Sequence, residues 1–157
     1  MKKLFALLLA ITMMATLSVT AFAADYDTAG DKGMNVTYSV NPGYTVTIPE
    51  TVTIGADGTE KTVSAADVVV EKGQYVSVTL AADNNFTVKT TEGAELTYTV
   101  TANGEAVAAG GEILAVNPAD GKTGTATITF DIDETKIQYA GSYIGTATFT
   151  VAVKPVS

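Results

Sequence analysis

Lys122 to Val153, KTGTATITFDIDETKIQYAGSYIGTATFTVAV, is the stretch whose reading decides the fold. Ala126, Ile128, Phe130 and Ile132 alternate with Thr125, Thr127, Thr129 and Asp131. Further on, Ala147, Phe149, Val151 and Val153 alternate with Thr146, Thr148 and Thr150. Successive side chains of an extended strand point to opposite faces, so a period of two writes one apolar face and one threonine face. Both runs read as strands, and the polar stretch between them reads as the loop of a C-terminal hairpin.

The same pattern recurs towards the N-terminus. Leu96, Tyr98 and Val100 alternate with Thr97 and Thr99, and Asn103-Gly104 follows as the two-residue signature of a type I′ hairpin turn. Its partner strand is expected at Glu105 to Ala109. Val76, Val78 and Leu80 form another run, and Phe86 and Val88 restart it after the Asp83-Asn84-Asn85 turn. Tyr44, Val46 and Ile48 alternate until Pro49, which has no backbone N–H to give a ladder. Val36, Tyr38 and Val40 place a first strand at Asn35 to Val40, ahead of a Val40–Gly43 turn. Lys61 to Val70 reads two ways: Val68-Val69-Val70 as a short buried strand, or Ser64-Ala65-Ala66-Asp67 as one helical turn. About eight to ten short strands separated by turn signals, with no apolar stripe at helical spacing, describe an all-β chain. The expected fold is an antiparallel, immunoglobulin-like β-sandwich, with a closed barrel as the alternative.

The N-terminus belongs to a different class of segment. Lys2 and Lys3 precede an apolar run from Leu4 to Met14, and Ala21-Phe22-Ala23 forms a small-x-small cleavage site. Residues 1–23 therefore read as a secretory signal peptide. The apolar run is shorter than the roughly 20 residues of a spanning helix. No second such stretch follows, so the mature chain is expected to have no transmembrane segment. Residues 24–33 are polar and glycine-bearing and read as a flexible lead-in, which leaves 34–154 as a single sandwich domain. The expected location is extracellular, secreted or associated with the cell surface. A signal peptide on a chain without cysteine suggests a bacterial exported protein.

Composition narrows function by exclusion. The chain carries 17 acidic against 9 basic residues, a net charge of −8. That balance argues against nucleic acid and anionic membranes, which recruit basic patches. With 0 His and 0 Cys, serine–histidine and cysteine–histidine catalysis are out of reach, and a zinc site loses its usual ligands. Two carboxylates working on a glycosidic bond remain formally open, but the acids fall mostly in turns and on solvent faces. The chain is expected not to be an enzyme and to need no cofactor.

A few residues stand out as candidates. Asp131, Asp133 and Glu134 gather hard oxygen donors where a strand runs into a loop, a pattern that suits Ca²⁺. Tyr75, on the threonine side of its strand, and Tyr139, in the loop, are aromatics on which a sugar ring can stack. Tyr143 shares parity with Ala147 and Phe149, so its ring should point inward and its hydroxyl should find a partner near the loop, as in a tyrosine corner. The Asn35–Val40 strand carries neither Lys nor Pro, the usual guards of a sheet edge, so it is free to serve its own sheet or a neighbour's.

Tyr38–Pro49 (YSVNPGYTVTIP) and Ala140–Val151 (AGSYIGTATFTV) resemble small secreted surface proteins of Firmicutes. More distantly they are similar to WxL-type cell-wall-binding domains and to pilin-like sandwiches ending in A-G-x-Y. The chain has 0 Trp and so lacks the WxL motif itself. Residues 143–153 contain no Asn for the Lys–Asn isopeptide bond that pilins of this kind often carry. The resemblance implies a structural or adhesive surface module, including a fibre or pilus-like subunit. Its partners would be other surface proteins, itself or glycans. A carbohydrate-binding module using exposed tyrosines is the alternative.

Overall fold

The computed structural model describes residues 36–55 and 57–156. The segments read as a signal peptide, 1–23, and as a lead-in, 24–33, lie outside the described residues. Nine strands follow one another: β1 Gly43–Thr47, β2 Thr59–Val69, β3 Gln74–Leu80, β4 Thr87–Lys89, β5 Glu95–Ala102, β6 Glu105–Ala106, β7 Glu112–Val116, β8 Gly124–Ile132 and β9 Phe149–Pro155. One 3₁₀ turn, Glu134–Lys136, interrupts them, and no α-helix occurs among the described residues. The chain is all-β.

Two antiparallel sheets form. The larger has the order β1-β2-β8-β5-β4, with β6 added to β5, and the smaller has the order β7-β3-β9. One apolar cluster draws on both: Val63, Ala126, Ile128 and Phe130 from the larger sheet, and Val76, Val78, Leu80 and Val116 from the smaller. Each fully buried aliphatic side chain of this kind contributes about 1.5–3 kcal/mol relative to exposure. The alternation in the sequence holds strand by strand. Along β8, Ala126, Ile128 and Phe130 are buried while Thr125, Thr127 and Asp131 are exposed.

The C-terminal hairpin does not form. β8 pairs with β2 on one side and β5 on the other, and β9 pairs with β3 in the second sheet. The two runs lie in opposite layers, not side by side. Each carries one apolar face, and the two faces contribute to one core from different sheets. Residues 133–148 carry the chain between the layers.

Of the expected Asn35–Val40 strand, the described residues 36–40 form no strand, and Asn35 lies outside the described residues. Val36, Tyr38 and Val40 are 80%, 71% and 52% exposed, and residues 36–42 belong to no strand. Alternation alone does not make a strand; a partner edge must supply the ladder, and among the described residues β1 pairs with β2 alone.

The ambiguous stretch 61–70 belongs to a single eleven-residue strand, β2. Its period is broken by a bulge. Asp67 takes φ 53°, and between the pairs Thr45–Ala66 and Gly43–Val69 β2 holds one residue more than β1. Val63 and Ala65 are buried, then Val68 instead of residue 67, so the inward parity slips by one. Asn103-Gly104 makes the expected turn, with φ 50° and 86°, and joins Ala102 to Glu105. The returning strand is only Glu105–Ala106 rather than extending to Ala109.

Candidate functional site

The smaller sheet ends sooner than the larger one. The last pair of its β3–β9 ladder is Leu80–Phe149. Beyond it the inner face of the larger sheet is left as the floor of a cleft of about 720 Å³. Ile128, Phe130 and Ile132 of β8 and Leu96 and Tyr98 of β5 form that floor. Residues 49–54 make one wall and residues 141–147 the other.

The first wall belongs to no strand. Pro49 ends β1's ladder, and Val52 and Ile54 turn their side chains onto the core while Thr51 and Thr53 face out. The Thr59 hydroxyl fastens its far end, donating to the Thr53 carbonyl at 2.9 Å and accepting from the Gly55 N–H at 3.0 Å.

The second wall is held by three devices. The Tyr143 ring packs against the core, and its hydroxyl donates to the Tyr139 carbonyl at 2.8 Å. Ile144 and Lys89 exchange two backbone hydrogen bonds of 2.9 Å, one in each direction, which ties the wall to the edge strand β4. Asn84 imitates a strand: its amide donates to the Thr148 carbonyl at 2.8 Å, and its side-chain oxygen accepts from the Thr148 N–H at 2.8 Å. Gly145 lies so close to β4 that a Cβ there would stand 2.5 Å from the Thr87 carbonyl oxygen. Only glycine permits that approach.

Tyr98 is the polar group of the floor. It is 5% exposed, with Phe86 edge-on at 5.7 Å and Phe130 tilted at 6.1 Å. Its hydroxyl is buried and has no hydrogen-bond partner. Burial also pushes its pKa up, so the group stays a neutral donor throughout the physiological range. A buried hydroxyl without a partner is uncommon in native cores.

The residues singled out in the sequence fall elsewhere or apart. Tyr75 faces Lys154 across the ladder, at the opposite end of β9 from the loop that carries Tyr139. The two do not form one platform. Tyr75 donates to Glu112 at 3.3 Å, Ser77 donates to the same carboxylate, and Lys154 lies 3.7 Å from it. Tyr139 is 63% exposed. Asp131 sits opposite Thr99 on the outer side of β8. Asp133 caps the 3₁₀ turn: it accepts from the Thr135 N–H at 3.1 Å and from the Thr135 hydroxyl at 2.5 Å, with Lys136 at 3.5 Å. Those contacts, the Thr135 hydroxyl first, hold its carboxyl below the usual aspartate value. Glu134 begins the turn and is exposed. Among the described residues no three acidic groups converge as metal ligands would.

The sequence does not single out Tyr98 or Gly145 as functional residues, and it marks Asn84 only within a polar turn with oxygen donors that could also take a cation. Tyr98 reads as one more inward aromatic, Asn84 as part of a polar turn, and Gly145 as a strand entrance. No protein-family model matches this chain, and no curated protein shows significant similarity to it.

Proposed function

We propose that this chain is a non-enzymatic extracellular module with an immunoglobulin-like β-sandwich fold, working as a structural subunit that assembles with copies of itself at a cell surface. The observation that carries this reading is the segment Val36–Val40, patterned as a strand, exposed and without a strand partner. Soluble chains guard such segments because an unpaired amphipathic strand adds readily to another sheet. The residue inventory supports the non-enzymatic part: the chain has neither His nor Cys, and the acids Asp131, Asp133 and Glu134 do not converge.

Light scattering coupled to size-exclusion, followed by negative-stain electron microscopy, tests the reading on the chain from Ala24 onward. Oligomers that lengthen with concentration are expected. A strict monomer at every concentration would sink it. The carbohydrate-binding alternative rests on Tyr139 alone, because Tyr75 is engaged with Glu112. Binding on a glycan array that disappears in Tyr139→Ala would favour that alternative instead.

A further inference from the structure

Two adjacent asparagines in this molecule have opposite employments. Asn84 is spent on the fold: its side-chain nitrogen donates to the Ala81 and Thr148 carbonyls, and its oxygen accepts from the Thr148 N–H. Asn85 is exposed. Its side-chain oxygen accepts from the Thr87 N–H at 3.2 Å, and the Thr87 hydroxyl donates to its backbone carbonyl at 3.0 Å. These bonds close an Asx-type turn and leave the Asn85 Nδ2 with no acceptor among the described residues. Phe86, in the middle, takes φ 50° and sets its ring edge-on to Tyr98, which anchors the turn and keeps Asn85 at the surface.

Asn85-Phe86-Thr87 is also an Asn-x-Thr tripeptide without proline at its centre, the acceptor pattern for an asparagine-linked glycan. We infer that Asn85 is glycosylated when the chain is exported; the inference rests on the extracellular reading above and adds a covalent site to it. The donor class is a glycan carried on a lipid pyrophosphate and brought by a membrane-bound transferase. Nδ2 of Asn85 bonds to the anomeric carbon of the first sugar. The bond from that carbon to the pyrophosphate oxygen breaks, its electron pair stays on the oxygen, and the proton lost from Nδ2 passes to a carboxylate of the transferase. An amide nitrogen is a weak nucleophile because its lone pair is shared with the carbonyl. As Nδ2 gives up its proton, charge gathers on Oδ1, where the Thr87 N–H already donates.

The surroundings accommodate the product. A shallow groove of about 340 Å³ lies beside Asn85, and Asp83, Lys89, Ile144, Thr146 and Thr148 help to line it. Thr146 and Thr148 are exposed and offer hydroxyls to a sugar, while Ile144, 74% exposed, offers an apolar surface to the C–H face of a ring. Asn85 lies just ahead of β4, at the opposite end of the larger sheet from β1, so a glycan there leaves the β1 side uncovered. Asn35-Val36-Thr37 repeats the tripeptide pattern, but Asn35 lies outside the described residues. No other asparagine of the chain is followed two residues on by serine or threonine.

Mass spectrometry of the full chain, recovered from outside the cells that naturally make it, decides the matter. The peptide bearing Asn85 should carry the added mass of a sugar chain, and fragmentation should place it on the asparagine. Asn85→Gln should lose the sugar entirely, and Thr87→Val should lower its occupancy at least tenfold. Thr87→Ser, which keeps the hydroxyl, should retain it. Far-ultraviolet circular dichroism of the three variants should match the parent, so that loss of sugar is not loss of fold. A chain found outside the cell, cleaved after Ala23 and bare at Asn85, would overturn the inference and leave the extracellular reading standing. Sugar on Asn35 alone, or sugar joined through the Thr87 oxygen, would overturn it in the same way. A chain kept inside the cell with residues 1–23 still attached would overturn both.

Discussion

Two heptapeptides in this molecule are nearly the same. Gly124–Phe130 reads GTATITF and Gly145–Val151 reads GTATFTV. The first lies wholly within β8, between two strands, with Ala126 and Ile128 each 1% exposed. The second straddles a wall and the start of β9, an edge strand, and Ala147, Phe149 and Val151 are only half-buried. The same letters thus make a strand in the centre of one sheet and half a strand at the edge of the other. Period-two patterning states which side chains face in. It does not state how many neighbours a strand has, because those neighbours come from distant sequence.

The comparison breaks most easily at the centre. Ile128→Ala should lower unfolding free energy by about 2–5 kcal/mol, since the site is enclosed and cannot collapse. Val151→Ala, half-exposed at the edge, should lower it by less than half as much. Urea denaturation of both variants checks this, and equal losses would mean that the two strands are equivalent after all.

The glycines that open the two heptapeptides sharpen it further. A Cβ at Gly145 meets a backbone oxygen of β4, which cannot move without disturbing the Ile144–Lys89 bridge. A Cβ at Gly124 meets the Val116 side chain at 2.5 Å, which can shift somewhat. Gly145→Ala should cost about 1–3 kcal/mol and exceed Gly124→Ala, measured by thermal melts of both.

An asparagine side chain accepts from the backbone at both matching threonines, Asn84 from the Thr148 N–H and Asn103 from the Thr127 N–H, but Thr127 also lies beside Thr62 of β2 inside the sheet. Asn84→Ala should destabilise by about 1–2 kcal/mol and speed amide exchange at Thr148 while leaving Thr127 protected. Beside β8, Tyr98→Phe should raise the stability of the monomeric chain by about 1 kcal/mol in urea titration, because it removes a buried hydroxyl without a partner.

The smallest effect is a pH dependence at the end of β8. Asp133 has its carboxyl held below the ordinary value near 3.9 by the Thr135 hydroxyl. The stabilising contact is therefore complete above pH of about 4 and disappears as pH falls through the lowered folded value. A proton-NMR titration should show the Thr135 amide moving in that acidic window, and Asp133→Asn should abolish the movement.

Most strands were legible in the sequence, and their inward faces with them, because alternation is local. The Asn103-Gly104 turn was legible for the same reason: its residues alone favour the positive φ it needs. What failed was non-local. The hairpin reading of Lys122–Val153 assumed that neighbours in sequence pair in space, and the Asn35–Val40 strand assumed an edge to receive it. In β2 the bulge at Asp67 broke the period, so a continuous strand looked like two candidates. The cleft was not legible, since its floor is written in ordinary core residues and its existence depends on where the smaller sheet stops. Tyr98 carries no local mark that separates it from Leu96 or Val100.

The crossing of residues 133–148 from one layer to the other also sets a timetable. β3 has its partners in β7 and β9, and its ladder joins Tyr75 to Lys154. A chain that emerges N-terminus first holds β3 for a long interval with one side open. Its inner residues Val76, Val78 and Leu80 cannot be sealed until β9 arrives. In a chain that emerges N-terminus first, closing the smaller sheet has to wait for β9, and the β3–β9 ladder closes a long loop at an entropic cost that grows with its length.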